Sequence, residues 1–491
     1  MQKQGAALLL AWFCLSLALA QQPSLSQELD RLLSVEWLKY ASCGVVVRDM
    51  QTGETLYARD AERMLIPASC TKLITTAAAL HLLGDNYRFH TQIWMRGRLD
   101  AQGVLHGDLI LQGGGDATLT FSDLKALAQK VHAAGVRKVE GLLLYDDSWL
   151  DAERYGFGWN IDDEPFGYQA QMSALCVERN AVRLYARPAE QVGEPARLRL
   201  DPPTDYLQVV NLTRTVERDS GGARLSATRE HARNRLVASG TIPLGAEETL
   251  VGRYAVENPP RFAATLFRDA LREAGVAAPD RIAPLVSDWQ LEGEALAEPQ
   301  SKQMASSEWR MVAIHLSPPM REMVALINKP SDNLLAEIVL KAVGKEKRGH
   351  GNTAAGLEAV REFLQGAGLE MGACHLVDGS GLSRMNAVSA ENLVRLLLFM
   401  ARSPHAEAYG NSLPVFGIDG TLRNRLRDTP VQGNGSAKTG SLYRVSAIAG
   451  YLTTRSGRKL VFAILMNHYN APASDARALQ DQIIRLLWER L

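Results

Sequence analysis

Ser69 and Lys72 stand three residues apart at the start of a helical pattern. That spacing puts a hydroxyl and an amine on one helix face, within reach of each other. A serine hydroxyl is a weak nucleophile until a base takes its proton, and a lysine can be that base once burial or nearby cations lower its pKa. The unpaired N–H groups at a helix start can also stabilise charge on an attacked carbonyl. The pattern alone is unspecific: two fixed positions recur by chance about once or twice in a chain of this length. Ser122/Lys125 and Ser456/Lys459 repeat it here and are assigned to chance.

Two further segments supply what the first lacks. Ser331-Asp332-Asn333 lies between two helical patterns, and Lys438-Thr439-Gly440-Ser441 runs into a strand starting near Val445. Acyl transfer at a C-terminal peptide bond needs a hydroxyl to relay a proton to the leaving amine. It also needs a carboxamide to place the substrate amide and a cation to neutralise the terminal carboxylate. Gly440 would let the strand backbone approach a substrate closely.

The elements that must position these residues read as one α/β (α+β) domain interrupted by an insertion. Strands are predicted at Gly44–Arg48 and Thr55–Tyr57, then, after Pro67, an alanine-rich helix over Leu73–Leu83. Near the end, strands at Val445–Thr453 and Lys459–Asn467 join at Ser456-Gly457 and should pair beside the N-terminal strands in an antiparallel sheet. A last helix, capped at Ser474, puts Ala476, Leu479, Ile483, Leu487 and Leu491 on one side; a core helix is favoured over a membrane anchor. Between Tyr87 and Glu257 short alternating runs broken by Gly, Pro and Asp predict a β-rich region, with one helix over Ser122–Ala134. Helices resume at Phe262–Ala274, Met320–Ile327, Asn333–Val343 and Ala355–Leu364, and Ser287–Ser307 reads as a polar linker. The domain expectation is therefore residues 21–86 with 258–491, interrupted by 87–257, after a leader over 1–20.

That leader has Lys3, an apolar run from Gly5 to Leu17 and small residues Ala18 and Ala20 before Gln21. This is the layout of a secretory signal peptide, too short for a membrane span. An exported, periplasmic or extracellular chain with no stable membrane anchor is expected. Its 54 basic and 54 acidic residues, without a Lys/Arg block, argue against nucleic acid as a partner. Cys43, Cys70, Cys176 and Cys374 remain after processing, with three possible pairings and too few bridges to frame so long a chain. No metal spacing and no phosphate loop occurs, so neither metal nor cofactor is expected, and Gly113-Gly114-Gly115-Asp116 reads as a tight turn. His315 and His375 read as packed or surface side chains, and Cys70 as a small buried one. No G-x-S-x-G elbow offers a rival nucleophile.

The ordered set S-x-x-K, S-D-N and K-T-G is the signature of penicillin-binding proteins and serine β-lactamases. With Ile66-Pro67-Ala68-Ser69, Gly435-Ser436-Ala437 before Lys438, the run Asp378 to Arg384, and the long insertion, the chain resembles one family in particular. This is the low-molecular-mass class C, or penicillin-binding-protein-4-like, D-alanyl-D-alanine carboxypeptidase/endopeptidase family, peptidase family S13. The resemblance runs from about Ser42 to the C-terminus and includes Asp146-Asp147-Ser148 and Gly158-Trp159. It implies a β-lactamase-like fold with two small inserted domains, and the stem peptides and cross-links of peptidoglycan as substrates. β-Lactams are implied as covalent inhibitors. It implies Ser69 as acylated nucleophile, Lys72 as base, Ser331 and Asn333 in proton relay and amide binding, and Lys438 with Thr439 on the substrate carboxylate. The backbone N–H groups of Ser69 and Ser441, beside Gly440, would form the oxyanion hole. For a diamino acid in the stem, Asp146 would take the amine and Arg384 the carboxylate, although Asp146 also suits a strand-end turn and Arg384 a loop brace. A β-lactamase or an inactive wall-binding protein are the alternative functions; no E-x-x-L-N segment supports the first, and the complete set of reactive side chains speaks against the second.

Overall fold

In the computed structural model, residues 23–285 and 309–491 are described. The expected leader and the Ser287–Ser307 linker lie outside them.

The N- and C-terminal parts of the chain build one sheet. Its five strands run in the order Gly435–Leu442, Val445–Thr453, Lys459–Asn467, Ser42–Asp49 and Thr55–Arg59, every pair antiparallel. Val45 lies opposite Ile464, so the first strand docks directly on the C-terminal hairpin, as expected. The hairpin strands are apolar on both faces because both faces are covered. On one side the Ala473–Arg490 helix buries Ala476, Leu479, Ile483 and Leu487 against Val45, Ile448 and Phe462. The helix starts one residue before the expected cap, and Ser474 turns its hydroxyl to Asp475 instead of to a backbone N–H. On the other side lie the helices Thr71–Leu83, Met320–Asn328, Asn333–Arg348, Thr353–Gly366 and Ala390–Ala401, which share one core with the sheet.

The interrupting region has its own core. A mixed six-stranded sheet carries the path Ile282–Pro284, Leu143–Asp146, Val104–Gly114, His90–Leu99 and Trp309–Leu316, with Lys138–Val139 on the side. Two three-stranded sheets follow the same chain segment, one built around Ala181–Arg187 and one around Arg235–Pro243. The helix Pro259–Glu273, expected beyond the boundary at 258, packs Phe262, Leu266 and Phe267 with Leu109, Leu111 and Leu127 instead. Strands at Ile282–Pro284 and Trp309–Leu316 complete the two edges of the six-stranded sheet. The chain thus rejoins the first core after Leu316, because those late segments are needed to close the second one.

Among the described residues no helix is long and apolar enough to cross a membrane. Cys43, Cys70, Cys176 and Cys374 are all buried and free.

Candidate active site

Ser69 sits in a tight turn, Ala68–Cys70, that leads straight into the Thr71–Leu83 helix. Ala68 adopts a left-handed φ of 46°. Two glycines admit this turn. A side chain on Gly440 would meet Pro67 O at 2.4 Å and Ser69 N at 3.0 Å, and one on Gly381 would meet Ala68 O at 1.9 Å. The edge strand and the Asp378–Arg384 loop can close on the serine only because both positions lack a Cβ.

Lys72 lies one helical turn on and is fully buried. Its Nζ donates to Ser69 Oγ at 2.9 Å, to Asn333 Oδ1 at 2.6 Å and to Ser380 O at 2.6 Å. Burial pulls its pKa down to about 8, against the opposing charges of Asp378, Glu337 and Asp332. Lys438 is equally buried and bonds Ser331 Oγ at 2.9 Å and Thr439 O at 2.8 Å. Burial, and then repulsion from Lys72, take its pKa to about 7. Ser331 holds a left-handed φ of 65°, which turns its hydroxyl toward Lys438. The structure therefore gathers these residues in two hydrogen-bonded groups, Lys72 with Ser69 and Asn333, and Lys438 with Ser331, joined through the Ser331–Asn333 turn. Ser441 follows Gly440 on the same edge strand, and Thr439 Oγ1 donates to Thr421 Oγ1 at 2.7 Å.

Asp332 turns away from both groups. It caps the Asn333–Arg348 helix through Leu335 N (3.0 Å) and pairs with Arg179 at 2.9 Å, so it braces the turn that presents its neighbours. Cys70 donates to Lys438 O at 3.2 Å, and burial pushes its thiol up to about 12, as suits a small buried side chain. His315 is part-buried, 3.5 Å from Asp116, within the second region.

Further residues complete the site, and of these Glu337 and Tyr168 carry no motif signal. Glu337, one turn after Asn333 and fully buried, accepts the backbone N–H groups of Gly379 (3.0 Å) and Ser380 (2.7 Å). It thereby aims the Ser380 carbonyl at Lys72; burial, then Asp378, raise its pKa to about 7. Asp378 gathers Gly381 N, Ser383 N, Asn386 Nδ2 and Trp159 Nε1. The Trp159 bond comes from the interrupting region, as does Tyr168 O, which accepts from Asn333 Nδ2 at 2.8 Å. Glu337 could have been suspected from sequence as a charge at a core-facing helix position; Tyr168 acts through its backbone and leaves no such trace.

The two proposed readers of the stem peptide fare differently. Arg384 is exposed and donates to Tyr443 O at 3.0 Å, two residues past Ser441, which leaves further N–H groups for a ligand. Asp146 is buried and has both oxygens engaged within its own sheet, by Gln112 Nε2 at 2.8 Å and Ser148 N at 2.9 Å. That is the strand-end turn. The segment of the interrupting region that reaches the site is the later one, around Trp159, Tyr168 and Arg179.

The model of the D-Ala-D-Ala carboxypeptidase 3 (S13) family matches residues 25–489. The chain is 37% identical over 478 residues to a D-alanyl-D-alanine carboxypeptidase of Actinomadura sp. (strain R39), covering 94% of this chain and 84% of that protein. Its fold is similar to the crystal structure of penicillin binding protein 4 (dacB) from Haemophilus influenzae. The TM-score is 0.77 at 24% identity, covering 94% of this chain and 98% of the other. The same protein complexed with a novel β-lactam gives 0.71, with the same identity and coverage.

Proposed function

The chain belongs to the D-Ala-D-Ala carboxypeptidase 3 (S13) family, and on that premise we propose that it removes the terminal D-alanine of peptidoglycan stem peptides through a Ser69 acyl-enzyme. The observation that carries this reading is the pair of buried lysines, Lys72 on Ser69 Oγ and Lys438 on Ser331 Oγ. Ser69 Oγ attacks the carbonyl of the penultimate D-alanine and passes its proton to neutral Lys72. The oxyanion is held by the N–H groups of Ser69 and Ser441. Lys438, with Thr439, neutralises the terminal carboxylate, and Asn333 orients the substrate amide. As the C–N bond breaks, the proton reaches the leaving amine through Ser331, and D-alanine departs. Water then attacks the ester and gives a proton to Lys72, which returns it to Ser69 Oγ as the ester C–O bond breaks, so that the shortened peptide leaves and Ser69 is regenerated. The same chemistry would open D-alanyl cross-links, and a β-lactam would trap the ester at Ser69.

The proposal includes export on the leader over residues 1–20, a catalytic domain made of two chain segments, and two smaller inserted domains, with the second core running to Leu316. The residue roles rest on the geometry above. Arg384 stays a reader of the diamino-acid carboxylate, whereas for Asp146 the strand-end turn replaces the amine contact. The test is incubation of purified protein with a fluorescent penicillin and with a D-Ala-D-Ala pentapeptide. A stable adduct on the peptide containing Ser69, with release of D-alanine, is expected; labelling that survives Ser69→Ala refutes the mechanism.

A further inference from the structure

Behind the Ser331–Asn333 turn, away from Ser69, a cleft of about 740 Å³ opens between the Met320–Asn328 helix and the interrupting region. Four arginines line it: Arg88, Arg179, Arg183 and Arg253. Carboxylates line it too, but most are already engaged. Asp332 holds Arg179 at 2.9 Å, and Glu178 accepts Phe121 N at 2.9 Å. Asp123 closes the cap at Thr120, and Glu322 is exposed. Arg183 is paired with Asp201 at 3.1 Å.

Arg253 and Arg88 differ from these. Among the described residues neither has a carboxylate within ion-pair distance. Arg253 donates to Glu178 O at 2.8 Å and Arg88 to Ser317 O at 2.7 Å. Arg253 is half-buried, and its desolvation, only partly offset by Asp332, lowers its pKa. A desolvated guanidinium with spare N–H groups is costly unless an anion completes it. Its planar fork suits an oxyanion with two acceptors.

The backbone beside it is unusual. Glu178, Arg179 and Asn180 hold three consecutive left-handed φ values, 51°, 56° and 54°. Such conformations cost on the order of 1 kcal/mol or more per non-glycine residue. The turn directs Glu178 and Arg179 into the cleft. It is held there by buried Asn180, which bonds Gln171 O at 2.8 Å.

The cleft also shares parts with the active site. Arg179 grips Asp332, next to Asn333. The stem of Arg253 packs against Gly167, where a Cβ would meet its Cγ at 2.8 Å, and the next residue, Tyr168, offers its carbonyl to Asn333.

We propose that this cleft is a second binding site, for an oxyanion such as a carboxylate or phosphate group, seated on Arg253 and Arg88 and coupled to Asn333 through Arg179–Asp332 and Tyr168. The occupancy claim stands without the proposed function; the coupling claim rests on it. The probes are succinate and inorganic phosphate, titrated into the whole protein at constant ionic strength and followed by calorimetry. Binding of either is expected, and which one binds identifies the source of the oxyanion. Arg253→Lys, which keeps charge and stem but loses the fork, and Arg88→Ala, at an exposed residue, should each weaken it about ten-fold. Lys438→Ala should leave it unchanged, since that lysine belongs to the other site. Absence of binding, or binding in both arginine variants as tight as in the unaltered protein, overturns the site. Loss in Lys438→Ala alone overturns it as well, by placing the anion at the active site. A saturating probe should change the rate of penicillin acylation by about five-fold. Binding that leaves that rate unmoved overturns the coupling, and failure of Ser69 to acylate at all defeats the proposed function while the binding result stands.

Discussion

The two halves of the catalytic cleft hold a lysine each, equally buried, in opposite electrostatic company. Around Lys72 stand Asp378, Glu337 and Asp332, whose charges favour the ammonium and keep its pKa at about 8. Around Lys438 the nearest charge of consequence is Lys72 itself, and its pKa falls to about 7. The first lysine has three acceptors, one of them the Ser380 carbonyl aimed by Glu337. The second has a hydroxyl and its own neighbour's carbonyl, one acceptor fewer, which is the opening the proposed mechanism gives to the substrate carboxylate. Burial makes either lysine a weak cation, and the carboxylates leave Lys72 the more strongly protonated of the two; what sets Lys72 apart as the candidate base is its place on Ser69 Oγ.

The strongest way to break this contrast is to remove the first half. Ser69→Ala should abolish penicillin labelling, and Lys72→Met should slow acylation at least about a thousand-fold, read by stopped-flow fluorescence. Ser122→Ala and Ser456→Ala should change nothing, since neither serine belongs to the set.

Lys438→Ala should cost about a hundred-fold in kcat/KM on a peptide with a free carboxylate. The loss should shrink on an amidated peptide, where there is no charge to neutralise. A similar loss on both peptides would mean that Lys438 works only through Ser331.

The pH profile sharpens the comparison. Lys72 must be neutral to act as base, and its neutral fraction grows as pH climbs through about 8. Lys438 must be charged to hold the carboxylate, so binding weakens as pH climbs through about 7. Because the two lysines interact, the measured limbs belong to the pair. A maximum of kcat/KM between about 7 and 8 is expected. Glu337→Gln removes a charge that favours the Lys72 ammonium, and should move the acid limb to lower pH while costing about ten-fold in rate. An unmoved limb would reduce Glu337 to a brace for the loop.

The smallest effects belong to the rim. Arg384→Ala should cost roughly ten-fold on a diaminopimelate-containing peptide and little on penicillin. Asp146→Asn should cost about 1 kcal/mol of stability, measured by thermal unfolding, and affect both substrates alike. A peptide-selective loss at Asp146 would restore the amine-binding role.

Much of this was legible in one dimension. The five-stranded sheet follows from two apolar hairpins and the helix between Thr71 and Leu83 from its alanine-rich run, because strand and helix periodicity are local properties. The boundary expected at 258 is not legible in this way, for the opposite reason. The amphipathic Pro259–Glu273 helix would cover either core, and only the packed chain assigns it to the second, whose six-stranded sheet is closed at its edges by the strands Ile282–Pro284 and Trp309–Leu316 that follow it. Asp146 shows the same limit: a carboxylate at a strand end has the same letters whether it faces a substrate or its own turn.

By itself, then, the sequence determined the chemistry available: a nucleophile and amine at helical spacing, a hydroxyl and carboxamide on one turn, a second amine on an edge strand. Spacing of a few residues is enough for that, since backbone geometry carries it. Only the tertiary structure decided the state of those groups. The pKa of Lys72 depends on its burial and on carboxylates 265 and 306 positions away in the chain, at Glu337 and Asp378, and that of Lys438 on its burial and on Lys72. The placement of Asn333 depends on a carbonyl lent by Tyr168 of the interrupting region. Charge interactions act through space and burial, and neither is written in the order of residues until the chain has folded.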